Sequence, residues 1–278
     1  MNVRVVAADE VERLGIAEAA DALETALRSG LDPEADTPRA AVELEAGQLL
    51  LMPGAAGAHA AVKLLTVGGE PRIQGVCVVF DQATLAPVAL IDGIALTNLR
   101  TPAVSTLAVR RLAVPEARRL LVFGRGPQAL AHAEAVRAVR PIDRVDVIGS
   151  DRRVPDELVA SADVICCCTT APEPLFDGAL PADHATVVAI GSHEPGVREL
   201  DDALVGRATV VVESLASALR EAGEVIGAIE SSVLEEGALV PLADLVRGAA
   251  SPDPSRPRVF KSTGMAWEDA VVASAVLG

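Results

Sequence analysis

RLLVFGRGPQALAHAE, residues 119–134, runs from an apolar strand through a glycine turn into the start of a helix. In a dinucleotide-binding βαβ unit the first glycine permits the tight turn and the second lets the backbone approach a pyrophosphate. The third position must be small so that the helix can pack on the strand. Gly124, Gly126 and Ala129 meet those needs. Pro127 suits the first helical position, where a missing N–H leaves no intrahelical bond unmade, although it removes one donor from the phosphate cradle. Arg125 either places positive charge beside the phosphates or points to solvent. A glycine turn is a weak signal alone; its place after a strand and before a helix is what identifies a nucleotide-binding unit.

Outward from this turn, further continuous apolar strands are expected at 144–149, 162–168, 185–191 and 208–214, with helical stretches between them. That alternation indicates a parallel sheet covered on both faces. At the tip of the second strand, RVDVIGSDRR places Gly149 and Ser150 ahead of Asp151, Arg152 and Arg153. An acid there accepts hydrogen bonds from the ribose of NAD, and Asp151 remains able to do so. A small polar tip followed by two arginines suits a 2′-phosphate better, so the sequence favours NADP(H) over NAD(H). Between Gly149 and the next strand there is room for about one short helix. The outer strand of this half is therefore expected to be missing or rudimentary.

Upstream, residues 8–29 show the apolar spacing of a helix, ended by Gly30. Short strand-like runs follow at 40–44, 48–53, 60–67, 75–81 and 87–93, separated by turns, which suggests an antiparallel sheet. A helix over 97–113 leads out of this first unit. The expected fold class is α/β: an α+β unit over 1–113 and a Rossmann-type parallel sheet over 114–258, with its second half-unit shortened. Residues 259–278 are expected to pack back near the junction, with an amphipathic helix over 265–277.

With 278 residues, half of them apolar but only 2% aromatic, the core must be built from Ala, Val, Leu and Ile. A net charge of -15 repels phosphates and argues against a nucleic-acid or anionic-membrane partner. The start of the chain does not read as a signal peptide, and no apolar run approaches membrane-spanning length. Cys166, Cys167 and Cys168 lack metal-ligand or redox spacing and read as small apolar residues of a buried strand, so no metal site is expected. A reducing, cytoplasmic setting fits. Lysine occurs only at Lys63 and Lys261 among 24 basic residues, which marks each as a position where an amine is needed.

Six stretches, in order along nearly the whole chain, resemble the ornithine cyclodeaminase/mu-crystallin family: MPGA (52–55), AVKLL (61–65), LIDGIALTNLRTPAVS (90–105), FGRGPQALAHAEAV (123–136), AIGSHEPGVRELDD (189–202) and VFKSTGMAWEDAVVASA (259–275). The resemblance implies a Rossmann domain joined to a substrate and dimerisation domain, and a homodimer. It implies that Lys63 is the active-site lysine and contacts the substrate, that Arg39 binds the substrate carboxylate, and that Arg100, in the RT motif, lies at the substrate and nicotinamide end. It assigns Gly124 through Gln128 (with Arg125, Gly126 and Pro127) to the pyrophosphate, Gly149, Ser150 and Asp151 to the ribose side, and Thr169 and Ser262 to cofactor contacts. Lys261 is then explained by the KSTG motif, as a structural residue.

The residue chemistry agrees. A carboxylate needs a cationic clamp, for which arginine is suited. A buried lysine near arginines has a lowered pKa and serves as a proton donor. Two departures bear on substrate. Ornithine cyclodeaminases carry an acid where this chain has His193, a competent acid–base group that does not pair with an ammonium as a carboxylate does. The stretch LLTVGGEPRIQG (64–75), expected to line the substrate pocket, is short for the family. The leading expectation is an NAD(P)H-dependent reductase of an imine or ketimine, or of an α-keto acid with an amine, giving an amino or cyclic imino acid. The alternatives are an ornithine cyclodeaminase and a non-catalytic ligand-binding protein.

Overall fold

The computed structural model describes residues 3–278 and divides into two compact units, one running up to Val104 and resuming at Met265–Gly278, the other Ser105–Gly264. The first unit begins with β1 (Arg4–Val6), α1 (Ala8–Glu12) and α2 (Ile16–Arg28). It continues through β2 (Ala40–Leu44), β3 (Gly47–Ala56), β4 (His59–Val67), β5 (Ile73–Asp81) and β6 (Pro87–Asp92) into α3 (Gly93–Leu112). The single helix expected over 8–29 is instead two, broken at Gly15, whose φ of 72° no other residue adopts cheaply. The apolar stripe persists across α2, where Ala19, Ala20, Leu23 and Leu27 are buried. The sheet order is β1-β6-β5-β4-β3-β2. Neighbours from β2 to β6 pair antiparallel, as the short turns between them predict. β1 pairs parallel with β6, which its sequence does not predict, since three residues are too few to show a period.

The second unit alternates strands and helices: β7 (Arg119–Phe123), α4 (Pro127–Val139), β8 (Arg144–Ile148), α5 (Asp156–Ser161), β9 (Val164–Cys167), β10 (Thr186–Ala189), α6 (Asp202–Val205) and β11 (Thr209–Val212). It ends with α7 (Leu215–Glu221), α8 (Gly223–Glu230), β12 (Val240–Pro241), α9 (Leu242–Arg247) and β13 (Arg258–Lys261). Its seven strands lie in the order β12-β11-β13-β10-β9-β7-β8, every pair parallel. Between β8 and β9 the only regular element is α5, so β8 is the sheet edge where a complete dinucleotide half would add a strand.

Residues 259–278 do not form one returning segment. β13 inserts between β10 and β11 in the middle of the parallel sheet, with all four residues buried. The division also falls inside α3 rather than after it, because the helix is shared. From Ser105 onward α3 bonds to the second unit: Ser105 meets His132, and the Leu112 carbonyl accepts from Arg258 Nε. Aliphatic residues dominate the core around β7, β9 and β10, with Phe123 stacked on Phe176 at 5.4 Å. Cys166 and Cys167 lie in buried β9, and burial pushes the Cys166 thiol up to about 12, which leaves it inert.

The chain returns to the first unit as α10 (Ala266–Leu277), which lies on β3 and β4. It is not amphipathic: every residue from Ala266 to Ala273 is buried, Glu268 and Asp269 included. Two features seat its N-terminus. Asp36 Oδ2 accepts from the Ala266 and Trp267 N–H groups at 2.9 and 3.1 Å. Gly54 leaves the space the helix enters, since a Cβ there would lie 2.5 Å from the Ala266 carbonyl. Gly54→Ala is expected to destabilise the protein by about 1–3 kcal/mol through overpacking, read as a fall in Tm. Gly126→Ala, whose Cβ meets nothing within 4 Å, should leave Tm unchanged.

Candidate functional site

The turn after β7 has the geometry the sequence predicts. Gly124 has φ 109°, and Pro127 is the first residue of α4, capped by Gly126. A Cβ on Gly124 would lie 2.5 Å from the Cys168 carbonyl and 3.4 Å from Ala129 Cβ, so the turn, the end of β9 and the helix are in close contact. At Gly126, by contrast, a Cβ would stand in open space beside the N-terminus of a thirteen-residue helix. An unobstructed backbone at a helix N-terminus fits a pyrophosphate. Buried His132 fastens α4: its Nδ1 lies 2.7 Å from the Gln128 carbonyl and its Nε2 2.9 Å from Ser105 Oγ. Burial holds its pKa down at about 4.

The register of the sheet gathers the other sequence-assigned groups. Phe123 is level with Ile148 and Cys167, and Cys167 with Ala189 and Lys261. Gly124, Gly149, Thr169, His193 and Ser262 therefore all follow the carboxyl ends of five adjacent parallel strands. The strand order reverses at β7, and such a switch point is where open α/β sheets bind ligands. On the ribose side, Arg125 pairs with Asp151 at 2.9 Å in an exposed ion pair, and that contact lowers the Asp151 pKa. Arg125 is thus directed to the tip of β8. Arg152 donates to the Val147 carbonyl at 3.3 Å.

In the first unit the structure brings Lys63 and Arg100 together. Lys63, on the α10-covered face of β4, is fully buried and donates to Asp269 Oδ1 at 2.8 Å. Arg100, on α3, reaches the same oxygen with Nε at 3.3 Å and Glu268 Oε2 with Nη1 at 2.8 Å. Both acids sit in the first turn of α10, where the helix dipole favours negative charge. Burial lowers the Lys63 pKa to about 8; nearby Arg100 adds to this and Asp269 opposes it. The result is an amine that both holds and releases a proton near neutral pH. Arg39 lies half-buried on the extended stretch before β2.

Sequence reasoning missed Glu268 and Asp269. The available signal was two adjacent acids inside the otherwise apolar MAWEDAVVASAVL; reading them as the wet face of an amphipathic helix concealed it.

A buried amine on one unit and an open glycine turn at a sheet switch point on the other agree with what the family model finds. The model of the ornithine cyclodeaminase/mu-crystallin family matches residues 2–156 and 153–277. The chain belongs to that family. It is 32% identical over 232 residues to a Δ1-pyrroline-2-carboxylate reductase of Colwellia psychrerythraea, covering 74% of this chain and 73% of that one. It is 33% identical over 223 residues to the ketimine reductase mu-crystallin of Mus musculus, covering 74% and 69%. Among solved structures it superposes on the Thermococcus litoralis Δ1-pyrroline-2-carboxylate reductase, in complex with NADH and L-proline, with a TM-score of 0.90. That match has 26% identity and covers 98% of this chain and 95% of the other.

The fastening of α4 has a pH signature. Unfolded histidine takes up a proton near pH 6.5, whereas folded His132 does so only near 4. Across that window the unfolded state binds more protons, so this group's contribution to stability is lost as the pH falls. Urea denaturation should show the wild type losing stability relative to His132→Gln as the pH is taken from 7 to 5. Asp36, raised by burial to about 6, works in the opposite direction in both proteins and cancels in the comparison.

Proposed function

We propose that this protein is a nicotinamide-dependent reductase that converts an α-imino acid, cyclic by preference, into the amino acid. The observation that carries this reading is the buried Lys63 ammonium held by Asp269. Reducing a C=N bond adds hydride to carbon and a proton to nitrogen, and a lysine with a pKa lowered to about 8 is suited to give that proton. A bound reduced nicotinamide supplies the hydride. Arg39 and Arg100 are assigned to the substrate carboxylate, for which a guanidinium offers parallel N–H donors. Gly124 to Gln128 are assigned to the pyrophosphate, and Thr169, His193 and Ser262 to the reacting end. The names of the relatives, imine and ketimine reductases, support the same chemistry. His193 favours reduction over cyclodeamination, because imidazole lacks the fixed negative charge that a second substrate ammonium requires.

The second clause of the reading is a preference for NADP(H). Arg125 occupies Asp151, and Arg152 and Arg153 follow directly, so positive charge outweighs negative at the tip of β8. The third is a homodimer. Val42, Leu44, Leu49, Leu51, Leu64 and Val76 share the sheet face opposite α10 by register. Val42, Leu44 and Val76 are exposed and the other three half-buried, so the chain leaves this apolar face uncovered.

With cyclic ketimine carboxylates and NADPH, kcat/KM is expected to be level below about pH 8 and to fall tenfold per pH unit above it, as Lys63 loses its proton. Lys63→Met should cost at least about a hundredfold in kcat. In Asp269→Asn the limb should move below pH 8, because the charge that raises the Lys63 pKa is gone. No turnover of any such imine by a protein that binds the dinucleotide would overturn the reading, and proline formed from ornithine would replace it.

For the cofactor, kcat/KM with NADPH should exceed that with NADH. Arg152→Ala should erode the difference by lowering the NADPH value alone.

A further inference from the structure

Four acids and a lysine are buried in the second unit, Glu199, Glu213, Glu221, Glu224 and Lys261, and the chemistry above uses none of them. Glu199 is the most completely bonded. It lies in the loop 190–201 between β10 and α6, which also carries His193. Its side chain turns back between the tips of two strands: Oε1 accepts from the Thr169 N–H at 2.8 Å and the Thr169 hydroxyl at 2.7 Å, and Oε2 accepts from the Gly191 N–H at 2.8 Å. One carboxylate thereby ties the loop after β9 to the loop after β10 and closes the base of the His193 loop.

The brace continues to a third strand. The Glu199 N–H donates to Glu224 Oε1 at 2.8 Å. Glu224 pairs with Lys261 Nζ at 3.0 Å, and Lys261 donates to the Ser192 carbonyl at 2.8 Å. All three charged side chains are buried. The fit is tight, since a Cβ on Gly191 would lie 1.9 Å from the Thr169 carbonyl and 2.6 Å from Glu199 Oε1. On its other side Thr169 adjoins the pyrophosphate turn, through the contact of Gly124 with Cys168.

Two buried acids against one lysine is a costly way to fill a core, and an apolar cluster of equal volume is often as stable or more so. What a carboxylate provides here, and an apolar group cannot, is fixed acceptors for N–H and O–H groups on two separate loops. Those loops flank the switch-point crevice. Small errors in holding a reacting group there cost rate steeply, because near-attack geometry carries much of the acceleration.

We propose that Glu199 is a positioning residue for the reduction: by bonding Thr169 and Gly191 at once, it fixes the two loops against which the nicotinamide end of the cofactor is set. The inference rests on the function proposed above, and its test separates the two. Glu199→Gln keeps size and one acceptor but turns an amide N–H toward a backbone donor. Thr169→Val removes the hydroxyl bond to Glu199, along with the 3.2 Å bond that hydroxyl accepts from the Ala171 N–H, and serves if the glutamine variant does not fold. For each, kcat and KM for a cyclic ketimine are measured together with Tm. Affinities are measured for the reduced dinucleotide and for ADP-ribose, which lacks the nicotinamide.

In Glu199→Gln, kcat should fall at least tenfold with KM for the imine within about threefold, and Thr169→Val should fall between it and the wild type. Affinity for the reduced dinucleotide should drop severalfold, affinity for ADP-ribose should hold, and Tm should stay within a few degrees. Wild-type kcat in both variants overturns the proposal. So does an equal loss for both ligands together with a lowered Tm, which marks a brace that only holds the fold. If the wild type reduces no imine yet Glu199→Gln weakens the dinucleotide and not ADP-ribose, the function proposed above fails and the positioning role stands.

Discussion

The Lys63 ammonium is taken out of water, and much of the first unit follows from that. An isolated buried charge costs several kcal/mol, so the lysine must have a partner that is equally buried and fixed. Asp269 is that partner, and it lies more than two hundred residues away in sequence. To deliver it, the chain leaves the first unit, builds an entire parallel sheet and returns. The return then has to be held closely: Asp36 caps the helix that carries Asp269, and Gly54 gives up its side chain so that the helix can approach. Glu268, one residue earlier, engages Arg100 in the same way. One buried charge thus accounts for a glycine, an aspartate cap and a two-part domain.

The second unit solves a similar problem with a different group. Parallel strands end at one level, and the loops beyond them have backbone donors and acceptors that no sheet satisfies. Thr169, Gly191 and Ser192 are such ends, and Glu199 and Lys261 bond them. At the glycine turn the space beside Gly126, at the N-terminus of α4, is left open instead. The two lysines of the chain, Lys63 and Lys261, are both fully buried and both paired with acids. In a protein whose other basic residues are arginines, lysine is kept where a compact ammonium must sit inside the core.

The glycine turn was legible because it is local. Its strand, its two glycines, the proline at the first helical position and the small Ala129 are neighbours in sequence, so the turn is read within a few residues. The shortened segment after β8 was legible for the same reason: too few residues were present to build another strand. Less legible was anything settled by pairing at a distance. β13 is four residues between turns, with nothing in its pattern to say that it enters the middle of a sheet. Glu268 and Asp269 looked like the polar face of a surface helix because sequence periodicity cannot tell a wet acid from one bonded to a buried base. Glu199 belongs to the same class.

What the sequence by itself determined is the alternation of strand and helix, the nucleotide turn, and the short list of residue types able to do acid–base chemistry on an imine. These rest on steric rules and side-chain chemistry that act within a few residues. Only the tertiary structure decided which acid holds Lys63, which helix brings it, and which carboxylate binds the strand ends together. Desolvation is the reason: the cost of burying a charge, and therefore the identity of the partner that offsets it, exists only once distant segments have closed over it and excluded water.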